Sequence, residues 1–215
     1  MNTEWILAIE TSVTNATLLL AREGRIFEQQ TFSSERSQEC DLFAPLQDLL
    51  AKLPEGERLS AIIIGTGPGS YNGARVGIAT AQAIAQVHRC RVAGLCSFEG
   101  VPEVSQNDII WAVGDARRSS YFLMPVGNGR AKTPPRLLEE EAFLVELARC
   151  EGPKVTFESP YRLPEGVECL VSQSSAHGLL KSWLARSPEE RENLLRTPVE
   201  AFYLRPPHIT KSKKT

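Results

Sequence analysis

The chain has few residues of the kinds that mark metal centres, secreted scaffolds or membrane spans. Its five cysteines, Cys40, Cys90, Cys96, Cys150 and Cys169, are odd in number, widely spaced and without a Cys-x-x-Cys pair. That pattern excludes a disulfide framework and a cysteine zinc site, and reads as buried thiols in a reducing compartment. Three dispersed histidines, His88, His177 and His208, give no His-x-x-x-His pair, so zinc-peptidase chemistry is excluded too. Long apolar runs are missing: the first, Trp5 to Ile9, is halted by Glu10 and is preceded by no basic segment, so it reads as a strand, and a cytoplasmic protein with no membrane contact is expected. Charge of either sign is scarce in excess. A net charge of -2 argues against a protein that grips nucleic acid over its whole surface and leaves RNA contact to be shared with a partner.

What is present is ordinary globular material, 215 residues of which 42% are hydrophobic, enough for a real core in one large domain or two small ones. Three short apolar runs open the chain, Trp5 to Ile9, Ala16 to Ala21 and Ile26 to Phe32, the last two joined by the turn Arg22-Glu23-Gly24-Arg25; they predict an antiparallel meander. Leu42, Leu46, Leu49, Leu50 and Leu53 then share one helical face, with Asp41 as the cap that would leave Pro45 in the tolerant first turn, whereas an earlier start would make Pro45 a kink. A strand over 60–64, a helix over 72–87 and a strand over 91–93 complete a β-β-β-α-β-α order. The second half repeats it in outline: strands at 109–113 and 120–126, a Gly127-Asn128-Gly129 turn, a strand reaching Leu138 and a helix over 139–150. Strands at 155–157 and 169–172 and a helix over 174–185 follow. A doubled meander with helices is the arrangement of the ribonuclease-H-like halves of the actin/sugar-kinase/Hsp70 superfamily. The expected fold is therefore α/β, with an N-terminal ribonuclease-H-like domain over 1–99 and a smaller, degenerate one over 100–215 whose last segment packs back on the first.

The most informative segment is Gly67-Pro68-Gly69-Ser70-Tyr71-Asn72-Gly73-Ala74-Arg75-Val76-Gly77, between an apolar strand and a helix of small residues. The dinucleotide fingerprint fails because its third glycine would have to stand at Ser70 or Asn72, and no Gly-Lys-Ser/Thr completes a Walker loop. Two readings of the loop stay open: an anion or nucleotide cradle of backbone N–H groups at a helix start, involving Gly67, Gly69, Ser70 and Gly73 with Glu10 and Thr11 nearby, or a tight connection that lets helix and strand approach. Glu10 is read first as a strand-end carboxylate accepting N–H bonds, and Asp115 as a turn residue paired with Arg117 in preference to a general base. Ser174, Ser175 and His177 sit together without a Gly-x-Ser-x-Gly elbow, so they read as a capped helix start. Gly73, Gly77, Ala81 and Ala85 form a stripe of small residues at every fourth position. It serves either close packing on its own sheet or, through this face or its border, a subunit interface.

The glycine segment resembles the signature Gly-Pro-Gly-Ser-Phe-Thr-Gly-Leu-Arg-Ile-Gly of the bacterial tRNA threonylcarbamoyladenosine biosynthesis family TsaB (YeaZ), departing from it at Tyr71, Asn72 and Ala74 and, by one methylene, at Val76. Glu10-Thr11-Ser12, Asp115-Ala116-Arg117 and Tyr203-Leu204-Arg205 add short agreements. The resemblance implies a non-catalytic scaffold and activator of the enzyme TsaD, which modifies the adenosine beside the anticodon. It places the interface on Gly73, Ala74, Gly77, Ile78, Ala81 and Ala85, with the ATPase TsaE in a larger assembly, a homodimer, and tRNA reached only through the complex. Relatives once labelled glycoproteases are not matched by any peptidase spacing here. No cofactor, metal or catalytic residue is expected. The rival reading is a small phosphotransferase or ATPase of the same superfamily, for which the C-terminal half offers no second phosphate loop. The lysines Lys211, Lys213 and Lys214 read as a solvated end, or as an arm steering tRNA.

Overall fold

Alternation along the first strand dictates the architecture. In β1 (Trp5–Glu10), Trp5, Leu7 and Ile9 point to one side of the sheet and Ile6 and Ala8 to the other, and all are buried. A strand apolar on both faces needs cover on both. The computed structural model, which describes residues 4–33 and 40–204, supplies it. β2 (Asn15–Arg22) and β3 (Arg25–Ser33) complete an antiparallel meander, β4 (Ala61–Gly65) and β5 (Arg91–Leu95) add in parallel, and the sheet order is β3-β2-β1-β4-β5. The β2–β3 hairpin turns at Glu23 and Gly24, both with positive φ, which suits the twist of the flanking strands.

Helices α1 (Cys40–Leu50) and α2 (Tyr71–His88) cover the Trp5 face, with Leu42, Leu46 and Leu49 from the first and Ala74, Ile78, Ala81 and Ala85 from the second. The expected capping by Asp41 is corrected: α1 begins at Cys40, and Pro45 lies inside the helix. The backbone position where Pro45 would bond the carbonyl of Asp41 therefore has no N–H to offer.

The second sheet runs through β6 (Ile109–Asp115), β7 (Ser120–Gly127), β8 (Arg130–Ala131), β9 (Arg136–Glu139), β10 (Lys154–Thr156) and β11 (Leu170–Val171), in the order β11-β10-β6-β7-β8 with β9 also on β7. Its antiparallel hairpin β6–β7 and its parallel additions β10 and β11 reproduce the first sheet's plan strand for strand. The repeat read from the order of elements is thus borne out as an α/β fold of two ribonuclease-H-like halves, and its degeneracy has a concrete form. Helix α3 (Glu140–Ala148) stands where α1 stands in the first half, but a short 3-10 turn at Pro160–Arg162 replaces a counterpart of α2, and β8 and β11 have two residues each.

The next helix leaves its own sheet altogether. Helix α4 (Ala176–Leu184) lays Ala176, Leu179, Leu180 and Trp183 on the Ile6 face of the first sheet, so that sheet is covered from both halves of the sequence. Its start is capped as expected, Ser175 accepting from the Gly178 N–H at 3.0 Å. Helix α5 (Pro188–Arg196) follows and docks on β5 through a two-point pair between Arg91 and Glu192, 2.8 Å at each contact. Hydrogen bonds from Arg91 and Arg196 hold the Glu192 carboxyl down at about 2.

The Cys40 thiol lies outside what the structure describes; of the other four, Cys150 is buried, while Cys90, Cys96 and Cys169 are half-buried and so less deeply placed than expected, and desolvation raises the pKa of all four. His208, Arg205, Lys211, Lys213 and Lys214 lie outside the described residues. Among the described residues, no helix is long and apolar enough to cross a membrane.

Candidate functional site

A cleft of about 760 Å³ separates the two halves. On one wall stand Ser12, Gly69 and Ser70; on the other Asp115, Arg117 and Phe157. The chemistry it can perform depends on where the sequence-predicted carboxylates point.

Glu10 points away from it. The side chain is fully buried and each oxygen has a protein donor: the Ser12 N–H at 2.8 Å and the Ser12 hydroxyl at 2.7 Å on Oε1, the Ser174 hydroxyl at 2.9 Å on Oε2. Ser12 in turn shares a 2.8 Å hydroxyl contact with Ser97, whose oxygen accepts the Gly67 N–H at 3.0 Å. Both oxygens of the carboxylate are thus committed inside the protein, where it ties the end of β1 to the segment before α4. The strand-end reading of Glu10 holds. Asp115 is likewise a turn residue, accepting the Arg117 N–H at 2.7 Å and pairing with the Arg117 guanidinium at 3.2 Å. That pairing holds a hairpin turn in which Arg117, Arg118 and Ser119 all have positive φ.

The glycine loop settles against its neighbours. The N–H of Gly67 donates to Ser97 Oγ, that of Ser70 to the Ser12 carbonyl at 2.6 Å, and that of Gly73 to the Ser70 hydroxyl at 3.2 Å, the N-cap bond of α2. A Cβ at Gly69 would overlap the Ser12 carbonyl oxygen and one at Gly73 the Thr11 carbonyl oxygen. Thr11 is itself held here, its hydroxyl donating to the Gly73 carbonyl at 2.8 Å. Of the two readings, close approach of helix to strand is the one this geometry carries. Glu10 and Thr11, expected beside an anion, are occupied by this packing; Gly69 and Ser70 remain on the cleft wall.

The small stripe on α2 requires a correction. Gly73, Ala74, Gly77, Ile78, Ala81 and Ala85 are all buried within the chain, and a Cβ at Gly77 would overlap Thr11 Oγ1 and come within 3.0 Å of Ile64. These residues face the chain's own sheet and are not free to receive a partner. The outward border of the same helix carries a second fourfold row, Tyr71, Arg75, Ala79, Ala83 and Val87, every member of it exposed. Two residues of offset is about 200° around a helix, which places this row opposite the buried one. Sequence reasoning noticed the row with the smaller side chains and passed over the pair Ala79 and Ala83, small residues that are exposed on the opposite face.

Residues 45–141 match the family described as "TsaD: tRNA N6-adenosine threonylcarbamoyltransferase". A solved structure described as a protein with similarity to peptidase YeaZ from Pseudomonas aeruginosa superposes with a TM-score of 0.67 at 20% identity, covering 94% of this chain and 100% of that one. YeaZ from Pseudomonas aeruginosa superposes at 0.61 with 21% identity, covering 85% and 90%. An uncharacterized Mycobacterium leprae protein is 38% identical over 64 residues, 30% of this chain but only 18% of that protein, so the match spans under a fifth of this relative's length. The two superpositions show that the chain has the fold of the YeaZ structures, and the family match over residues 45–141 takes in the Gly-Pro-Gly-Ser segment that carried the resemblance to the TsaB (YeaZ) family.

Proposed function

We propose that the chain serves threonylcarbamoyladenosine modification of tRNA as a non-catalytic scaffold and activator of a TsaD homologue. The observation that carries this reading is the commitment of Glu10: the carboxylate at the end of β1 has both oxygens bonded inside the protein. In this reading the active centre belongs to the partner, and this chain contributes a surface. The exposed row Tyr71, Arg75, Ala79, Ala83 and Val87 is that surface, because Ala79 and Ala83 let a second helix approach closely while Val87 and Tyr71 supply apolar area at its ends. The same row would serve a homodimer, and the ATPase TsaE and tRNA would join through the TsaD homologue.

Changing Ala79 and Ala83 together to Arg should abolish co-purification with the TsaD homologue while leaving the melting temperature within a few degrees, since both positions are exposed. Retained association would remove the row from the interface. The purified chain alone should turn over no ATP. Turnover that Asp115→Asn abolishes would favour the phosphotransferase reading instead, in which the 760 Å³ cleft holds the nucleotide.

A further inference from the structure

The last described residues cross from one half of the molecule to the other without forming a helix or strand. Val199 packs beside Gly94 at the edge of the first sheet, and its carbonyl accepts from Gln82 Nε2 at 3.4 Å. Ala201 is buried in the core under α2. The Phe202 N–H donates to the Thr66 carbonyl at 2.8 Å, and the Phe202 backbone lies against Gly67. Tyr203 meets Tyr71, the first residue of α2, with ring centroids 5.2 Å apart. Leu204 then packs against the core of the second half, beside Phe98 and Phe157. Phe202, Tyr203 and Leu204 also line the cleft.

We propose that residues 199–204 form a strap that opens independently of the two cores and controls access to the cleft. Its anchorage is slight for a segment that bridges both halves. Among the described residues, one backbone bond, one long side-chain bond and the side-chain bond between Tyr203 and Tyr71 hold it, and Phe202 and Tyr203 stay 38% and 43% exposed. Segments with few backbone bonds and half-exposed side chains open at the low end of a protein's stability range, whereas strands such as β1, buried on both faces, open only with the whole molecule. Release of the strap removes one wall of the cleft, frees the Tyr71 ring and exposes the glycine loop at Thr66 and Gly67. It leaves the Glu10 cluster intact, because none of that cluster's bonds involves residues 199–204. This inference concerns the isolated chain and is independent of the partner reading.

Amide hydrogen exchange on the full chain tests it. In the unmodified protein the Phe202 amide should exchange at least about tenfold faster than the amides of β1, β4 and β6, through an opening smaller than global unfolding. Phe202→Ala should speed exchange at residues 66–73 by about a further tenfold and leave β1, β4 and β6 unchanged. Exchange of the Phe202 amide only together with β1 and β4 in the unmodified protein would overturn the proposal, whether or not the variant folds. So would a Phe202→Ala protein in which the strands of both sheets loosen as much as residues 66–73.

Discussion

Arg186→Leu should be the most damaging single side-chain change, lowering stability by about 3–5 kcal/mol. Arg186 and Glu99 are both buried, 8% and 4% exposed, and their atoms meet at 2.6 Å. Glu99 stands in the connector between the halves, where its carboxylate also accepts from the Ser182 hydroxyl of α4 at 2.7 Å and from the Ala131 N–H of β8 at 3.0 Å. Arg186, just past α4, donates to the carbonyl and hydroxyl of Ser182, each at 2.6 Å. The pair therefore fastens α4, the connector and the second sheet at one point. Removing the guanidinium leaves a carboxylate in a place that water cannot reach, and the cost is that of the uncompensated charge more than of the lost bond. Chemical denaturation with and without the change measures it. The double variant Glu99→Gln with Arg186→Leu should recover much of the loss, since a neutral amide can still accept from the Ala131 N–H through its oxygen while its NH2 group donates to the Ser182 hydroxyl. A single variant as stable as the parent would show that the pair is dispensable.

Gly73→Ala should destabilise the chain by about 2 kcal/mol or more, although alanine is the better helix former by roughly 1 kcal/mol. The added methyl would overlap the carbonyl oxygen of Thr11 and approach its carbonyl carbon to 3.0 Å. That obstacle is main chain, fixed on one side by the Thr11 hydroxyl bond to Gly73 and on the other by the Glu10 cluster, so no rotamer change relieves it. Ala79→Gly on the exposed face of the same helix should cost only about 1 kcal/mol, the propensity difference alone. Thermal melts of the two variants decide between a stripe that belongs to the core and one reserved for a partner: in the second case Gly73→Ala would leave the isolated chain neutral or more stable.

The legibility of the sequence followed the range of the interactions. Local signals gave β1, β2, α2 and the two hairpin turns to within a residue or two, because alternation, helical spacing and Gly-containing turns act over a few positions. The two-half plan was also legible, since it is the same local order written twice. Helix α5 was missed although its start carries a capping box, Ser187 and Glu190 bonding reciprocally with Pro188 at the first helical position. Its weakly apolar face had hidden the signal.

What could not be read was long-range. Nothing near Ser174 announces that its hydroxyl reaches Glu10, 164 positions away. Nor does a row of small residues say which side of a helix the sheet lies on. The stripe Gly73, Gly77, Ala81, Ala85 and the row Tyr71, Arg75, Ala79, Ala83, Val87 repeat with the same period, and only the packing of α2 on Ile64 and Thr11 tells them apart.

The scaffold reading stands most directly on reconstitution of tRNA threonylcarbamoylation from purified components, with a TsaD homologue and TsaE, in the presence of this chain, in its absence, and with the Ala79→Arg, Ala83→Arg variant. The account predicts modification that depends on the unmodified chain, is lost with the variant, and persists with Asp115→Asn, whose side chain only holds a turn. Equal modification with and without the chain, or loss of modification on changing Asp115 alone while the protein stays folded, would contradict it.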